Sequence, residues 1–493
     1  MSIKTLFKET AVYGLSSIVG RFLNWLLVPL YVRVLASTAD YGIVTNLYGW
    51  SALLLVILLF GMETAFFRFS SKDAKPNVVY ATTLRAVAFI SALFVAFVLM
   101  GEVKLASMLH YENHSEYLRW MAVIIAIDAV CAIPFAYLRY QGRAWHFAGL
   151  KLFAIGLNIL LNLFFLVVAP WLMQNHPNLL GEFFVAEDTV RYIFISNLIT
   201  SGITLLALFP TMLPALRVKA DFNLLMRMLN YAFPLLLLGI AGIFNQTADK
   251  ILFPLLFEDQ VYAHSQLGIY GACFKITIVL MMCLQAFRYA YEPFVFKEIG
   301  TGEGEIEVKK KAMIKVMDAF ILFALFVFLS VCFFLDILKF FVSEAYYGGL
   351  VIIPIVMIGE LFFGIYYNLS FWYKLTDETK WGAYFSMIGC VSTVAIICVF
   401  APSHGFIACA WASFVCNLLM MLLSYCLGQK KFPIAYDLRS AAFYILVAGG
   451  LYLAGTLIEI ESLPLRLGYR CVLLLVYITA AWKRYITTNK NKI

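Results

Sequence analysis

The chain has 493 residues, of which 63% are hydrophobic and 13% are charged, and its formal net charge is +8. A soluble protein carries about twice this share of charged residues, so the composition excludes a soluble domain and predicts a polytopic membrane protein. The positive charge is spread over loops that flank apolar segments, so it does not indicate binding to nucleic acid. The ten cysteines lie in apolar segments without the spacing of disulfide or metal sites, and we interpret them as small hydrophobic residues.

Apolar runs long enough to cross a bilayer, which takes about 20 residues, occur about fourteen times along the chain. No loop between them is long enough to fold as a domain. The sequence therefore predicts an all-α polytopic membrane protein. The predicted spans are 10–34, 41–67, 78–101, 118–138, 147–170, 190–211, 228–256, 266–296, 312–335, 347–372, 381–401, 404–427, 438–458 and 464–483.

The first predicted span carries polar residues where lipid-facing residues should be apolar. At helical spacing Gly14, Ser17, Arg21, Asn24 and Val28 share one face. A charge at membrane depth costs a few kcal/mol, so Arg21 should face protein or water rather than lipid. The helix either lines a polar cavity or holds Arg21 against a neighbouring helix for packing, and we favour the cavity.

Two further basic residues lie inside the eighth span. Lys275 is about nine residues from the outer end, roughly 13 Å deep at 1.5 Å per residue, and shares its face with Gly268, which suits a cavity wall. Arg288 lies on another face, where the i,i+4 spacing to Glu292 predicts an ion pair. Arg288 is therefore a candidate either for binding an anion or for structural pairing.

Three acids inside spans are candidates for ion coupling. Asp249, next to Lys250, either forms a self-neutralising pair or binds a coupling cation. Glu360 in the tenth span and Asp128 in the fourth each either pair with a base across the bundle or bind a proton or sodium ion. The sequence predicts no metal site, no cofactor and no catalytic group, because the histidines lie mostly in loops or at span ends without a partner at fixed spacing.

The loop charges orient the bundle. Lysines and arginines precede the first span and follow the even-numbered spans, for example Arg68, Arg139 and Arg217, whereas the alternate loops hold acids such as Glu112 and Glu258. Positive charge marks the cytoplasmic side, so both termini are predicted to be cytoplasmic.

A weak internal repeat divides the chain. Arg21, Asn24, Pro29-Leu30 and Tyr41-Gly42 are matched at similar offsets by Gln246, Asp249, Pro254-Leu255 and Tyr270-Gly271. Both copies start from the predicted cytoplasmic side, which is typical of two transporter halves related by an axis normal to the membrane. The predicted organisation is a six-helix bundle over 1–220, a second over 221–432, and two additional helices with a cytoplasmic tail over 433–493.

These residues resemble a known family. Gly14-Leu15-Ser16-Ser17, Pro29-Leu30 and Asp40-Tyr41-Gly42 are similar to the start of Wzx-type polysaccharide flippases, of the multidrug/oligosaccharidyl-lipid/polysaccharide exporter superfamily. The sequence Tyr231-Ala232-Phe233-Pro234-Leu235, with Ala248-Asp249-Lys250 and Gly268-Ile269-Tyr270, is similar to the start of the family's second half. The resemblance implies two pseudo-symmetric six-helix bundles around a central cavity, plus two C-terminal helices.

The same resemblance implies a function. It is the transfer of an undecaprenyl-pyrophosphate-linked oligosaccharide from the inner to the outer leaflet of the bacterial inner membrane, for surface polysaccharide such as O-antigen or capsule. The expected partners are this lipid-linked glycan, membrane lipids and other polysaccharide-assembly membrane proteins, with sodium ions or protons as coupling ions. A basic cavity with Arg21, Asn24, Lys275 and Arg288 would then bind the substrate.

Two alternatives remain open at this stage. A multidrug exporter of the same superfamily should have an acidic or apolar cavity. A polymerase or ligase acting on lipid-linked sugars should have a sizeable outer loop or an outer acidic pair, and the outer loops of this sequence are short. Aromatic residues either stack on sugar rings or, more commonly, pack and anchor the bundle at the membrane interface. They include Trp25, Tyr48, Trp50, Tyr289 and Tyr366.

Overall fold

A computed structural model describes residue 14 and residues 18–72, 75–176, 188–297, 303–376, 378–458 and 460–490. Within these ranges the regular secondary structure is helical, and thirteen helices are long and apolar enough to cross a membrane. These thirteen helices match predicted spans two to fourteen in order, and the described part of the first predicted span, residues 18–34, is also helical apart from one turn. The predicted all-α polytopic membrane fold is confirmed.

The chain forms two compact units, Met1–Gly268 and Ile269–Ile493. The predicted bundles, 1–220 and 221–432, were defined by the internal repeat rather than by packing. Their boundaries stay a prediction. In the first unit, α2 packs against α4 and α7, and α6 packs against α4 and α5. Its helices are α1 (residues 18–25 and Val28–Val34), α2 (Thr38–Leu59), α3 (Pro76–Met100), α4 (Ser115–Tyr140), α5 (Ala144–Leu163), α6 (Thr189–Leu216) and α7 (Phe222–Leu252), with the first residues of α8 (Gln260–Lys297).

Helix α1 is interrupted by a turn at Leu26 and Leu27. The second segment then begins with Val28 and Pro29, and proline is favoured in a first helical turn because the missing N–H group would have no partner there. Arg21 and Asn24 lie before the turn and are exposed, whereas Val28 is 4% exposed. The prediction that Val28 continues the polar face is therefore wrong, because the turn rotates the second segment.

The two proline-leucine pairs of the repeat occupy similar backbone positions. Pro29 lies at the start of a helical segment after a turn, and Pro254 lies in the 3₁₀ segment Phe253–Leu256 directly after α7. Asp40 of the first copy forms a capping box with Ser37: the Asp40 N–H donates to Ser37 Oγ (3.2 Å), and the Ser37 N–H donates to Asp40 Oδ2 (3.0 Å). Asp40 in the Asp40-Tyr41-Gly42 motif thus starts α2.

In the second unit α12 packs against α10 and α11, and α9 packs against α10, α13 and α14. The two C-terminal helices are joined to α9 by a charged cluster. Asp336 accepts from Arg470 Nη1 (2.7 Å) and pairs with Arg466 Nε (3.0 Å), while Arg470 also donates to the carbonyls of Phe333 and Gly455. Besides the rest of α8, the helices are α9 (Glu303–Phe333), α10 (Ile352–Leu369), α11 (Lys380–His404), α12 (Ile407–Lys431), α13 (Leu438–Leu457) and α14 (Leu463–Lys490).

Candidate functional site

The first unit contains a polar cavity of about 540 Å³ between α1, α2, α4, α5 and α6, together with the short helix Met62–Lys72 that follows α2. Arg21 and Asn24 from α1 and Asp128 from α4 line this cavity, so three of the predicted site residues lie together. Amides and hydroxyls from α5 and α6 add hydrogen-bonding groups that can replace water around a polar ligand. They are Asn158, Asn197, Thr200, Ser201 and Thr204.

The cavity also contains two charged residues that the sequence analysis did not select, Lys151 and Glu63. Glu63 forms an ion pair with Arg139, which is therefore the base that neutralises it. Lys151 Nζ lies 4.2 Å from the centroid of the Phe135 ring, a cation–π contact that positions the ammonium group at the cavity wall. Among the described residues, neither Lys151 nor Arg21 has an ion-pair partner within 4 Å.

Asp128 and Asn158 are each held by a second polar residue. Ser201 Oγ donates to Asp128 Oδ1 (2.7 Å). Asn162, behind the cavity wall, donates to Asn158 Oδ1 (2.9 Å) and accepts from Tyr31 on the second segment of α1 (2.9 Å). These bonds fix the orientation of the lining side chains, so the cavity is pre-organised on its α4 and α5 walls.

The charge of this cavity is mixed. Arg21 and Lys151 are balanced in number by Glu63 and Asp128, but Glu63 is already neutralised by Arg139. One acid therefore remains to offset two bases. Asp128 interacts electrostatically with Lys151, so the cavity retains a small excess of positive charge.

The acids predicted for ion coupling in the second half of the chain have different surroundings. Asp249 is 7% exposed, and both of its carboxylate oxygens accept from Lys250 Nζ at 3.0 Å, as in the self-neutralising alternative. Glu360 is 6% exposed in the second unit. It lines a cavity of about 40 Å³, room for little more than one water-sized ligand, with Gln285 and Asn368.

Of the two predicted bases of α8, only Lys275 has a described side chain, and it is not among the described residues that line the polar cavity. Lys275 is half-buried within the second unit, and the side chain of Arg288 lies outside the described residues, as does that of Glu292. Gly268, predicted to line a cavity with Lys275, instead contacts backbone: an added Cβ would lie 1.9 Å from the Thr38 carbonyl oxygen. The assignment of Gly268 to a cavity wall is wrong because the residue forms a close helix–helix contact with α2.

Comparisons with known proteins agree with this architecture. The family model MatE matches residues 260–400. A structure of the lipid II flippase MurJ in an inward closed conformation is similar over 96% of this chain and 99% of that chain, with a TM-score of 0.72 and 14% identity. An inward-facing MATE family transporter of the MOP superfamily is similar over 87% and 94%, with a TM-score of 0.58 and 13% identity.

The MATE transporter VcmN of Vibrio cholerae in its bent form is also similar, over 90% of this chain and 98% of that chain, with a TM-score of 0.51 and 13% identity. No curated protein matches the chain. At these identities the likeness concerns the fold. The chain is a multi-pass membrane protein with the fold shared by MATE transporters and the flippase MurJ.

Proposed function

We propose that the protein is a flippase of the Wzx type, which moves an undecaprenyl-pyrophosphate-linked oligosaccharide from the inner to the outer leaflet of the bacterial inner membrane. The observation that carries the proposal is the pair Arg21 and Lys151. Both line one cavity together with amides and hydroxyls, and neither has an ion-pair partner within the described ranges. With only Asp128 left to offset them, the two bases give this polar cavity an excess of positive charge, which is expected to bind an anionic group.

The physical task explains the lining. A pyrophosphate and its sugars cannot enter hydrocarbon, because each polar group would lose hydrogen bonds worth several kcal/mol. Arg21 offers a planar fork of donors suited to phosphate oxygens, and Lys151 offers a point charge. Amides such as Asn24 and Asn158 can exchange hydrogen bonds with sugar hydroxyls. The polyprenyl tail would remain in the lipid.

The test is export of surface glycan in a host that lacks its own flippase and makes the matching glycan. Arg21→Ala and Lys151→Ala should each reduce export at least tenfold, because each removes charge-assisted hydrogen bonds worth about 1.5–3 kcal/mol. Arg21→Lys should retain part of the activity, since the charge remains although the fork is lost. Lys104→Ala, an exposed lysine outside the cavity, is the matched control. Full export by the two cavity variants would refute the proposal.

A second candidate function is multidrug export, which the match of residues 260–400 to MatE favours. In that case a lipophilic cation would bind near Asp128, and the bases would oppose it. Dye efflux measured in the same strains separates the two functions. A drug exporter predicts that Arg21→Ala leaves efflux unchanged or raises it and that Asp128→Asn abolishes it, whereas the flippase proposal predicts no efflux of cationic dye by any variant.

We further propose that ion coupling involves Glu360, which is buried next to a cavity the size of a single small ligand. Glu360→Gln should weaken the response of export to a sodium or proton gradient. Asp249→Asn is the informative comparison, because Asp249 already pairs with Lys250 and its replacement should chiefly lower the amount of folded protein. An unchanged gradient response in Glu360→Gln would assign that carboxylate a structural role.

A further inference from the structure

A second, smaller pocket of about 260 Å³ adjoins the polar cavity in the first unit, and the two share Leu55, Asp128 and Asn197. Its wall is largely apolar and aromatic. Tyr48, which is 41% exposed, and Phe194 stand with ring centroids 6.2 Å apart, and Met121 completes this side. The first unit therefore contains two joined compartments, one polar and charged and one aromatic.

The polar groups where the compartments meet retain unused hydrogen-bonding capacity. Asn197 Nδ2 donates to the Tyr48 hydroxyl and to the Ile193 carbonyl (3.1 Å), which leaves its Oδ1 as an acceptor. The Tyr48 hydroxyl accepts that bond and keeps its own proton to donate. Asp128 uses Oδ1 to accept from Ser201, and no described protein group donates to Oδ2.

One free donor and two free acceptors beside an aromatic face match one class of ligand in particular. A pyranose ring presents C–H groups on one face, which pack on an aromatic ring, and hydroxyls at its edge, which both donate and accept. A lipophilic cation would also pack on the rings, but it has no use for the Tyr48 proton. In addition, Lys151 in the joined cavity opposes a second positive charge.

We propose that this aromatic pocket is a sugar subsite, which binds the pyranose ring next to the pyrophosphate while Arg21 and Lys151 hold the phosphates in the joined cavity. The inference rests on the proposed function and adds the recognition of the sugar to it. Tyr48 packs on the ring and donates to a hydroxyl, and Asn197 and Asp128 accept from neighbouring hydroxyls. Vicinal hydroxyls, or a hydroxyl beside an acetamido group, satisfy this arrangement.

The test compares two probes that share the diphosphate diester and the tail and differ in the group at the far end: P1-farnesyl P2-methyl diphosphate (the methyl probe) and farnesyl-diphospho-N-acetylglucosamine. Binding of each to the purified full-length protein is measured, and the ratio of the two dissociation constants reports the sugar alone. The parent should prefer the sugar-bearing probe. Tyr48→Phe should reduce this preference about two- to tenfold, the worth of one hydrogen bond, with unchanged affinity for the methyl probe. Tyr384→Phe, an exposed tyrosine of α11, should preserve the preference.

The outcomes separate the subsite from the proposed function. Arg21→Ala should weaken the binding of both probes by the same factor, because it removes a contact to the anion they share. Suppose that Arg21→Ala weakens the binding of both probes, whereas Tyr48→Phe and Asn197→Leu leave the ratio of the two dissociation constants unchanged. The sugar subsite is then refuted and the anion site stands. If Arg21→Ala weakens neither, the proposed function itself fails. Binding of tetraphenylphosphonium that is lost in Asp128→Asn would overturn both, because the pocket would then be a cation site.

Discussion

The contact between α2 and α8 in the first unit depends on two glycines and gives a quantitative prediction for Gly42→Ala. An added methyl carbon at Gly42 would lie 1.8 Å from the His264 carbonyl oxygen, and one at Gly268 would lie 1.9 Å from the Thr38 carbonyl oxygen. An ordinary carbon–oxygen contact is about 3.4 Å, so the helices would have to separate by about 1.5 Å at this point. The hydroxyl–hydroxyl bond between Thr38 and Ser265 (2.7 Å) would then be lost.

The expected cost follows from these contacts. Overpacking costs about 1–3 kcal/mol and the lost hydrogen bond about 1 kcal/mol, while the higher helix propensity of alanine returns about 1 kcal/mol. Gly42→Ala should thus lower the free energy of unfolding by about 1–3 kcal/mol. Gly149→Ala in α5 is the control, because no atom lies within 4 Å of its added carbon, and it should leave stability unchanged or raise it. Thermal unfolding of the purified protein in detergent measures both. Equal melting temperatures for the two variants would refute the close contact.

Three further predictions concern orientation and stability. With the ten native cysteines replaced, single cysteines at Asn113 and Asp259 should react with an impermeant thiol reagent from outside and one at Gly142 should not; reversed labelling would invert the topology. Hydrogen bonds from Lys431 and Trp381 hold the pKa of Glu378 below its ordinary value of 4.5. Ionised Glu378 therefore stabilises the folded protein above about pH 4.5, and this contribution disappears as the pH falls through the lowered pKa. Melting curves of the parent and of Glu378→Gln should accordingly converge in acid and differ near neutral pH. Asp336→Asn should lower the free energy of unfolding by about 1–3 kcal/mol, since Arg466 and Arg470 lose a partly buried partner. Glu344→Gln, which changes an exposed acid, should leave it unchanged. Equal melting points for the two variants would contradict the stabilising role of Asp336.

The sequence predicted those features that depend on local pattern. Apolar length located the spans, because a helix that crosses a bilayer must satisfy its backbone internally and expose apolar side chains. The polar face of the first span placed Arg21 and Asn24 correctly, since a charge at depth must face protein or water. The pairing of Asp249 with Lys250 was one of two local alternatives, and adjacency in the chain made it accessible to prediction.

Features that depend on distant contacts were missed. Glu63 and Lys151 lie near the ends of their predicted spans, where charges ordinarily flank the membrane, and only the packing of α4, α5 and the segment after α2 brings them into the cavity. The ion pair between Glu63 and Arg139 also connects residues that are far apart in the sequence, so local pattern could not predict it. Val28 was misplaced by extending a helical period across the turn at Leu26 and Leu27, although Pro29 signals an interruption.

The most direct test of the central claim is transbilayer movement of a fluorescent polyprenyl-diphospho-oligosaccharide in proteoliposomes, followed by quenching of the probe in the outer leaflet. The parent protein should equilibrate the probe between leaflets. The double variant Arg21→Ala/Lys151→Ala should not exceed protein-free vesicles, although it is folded and inserted, because the cavity then lacks the two bases that hold the pyrophosphate. Movement of the probe by the double variant at the rate of the parent would contradict the role assigned to this cavity.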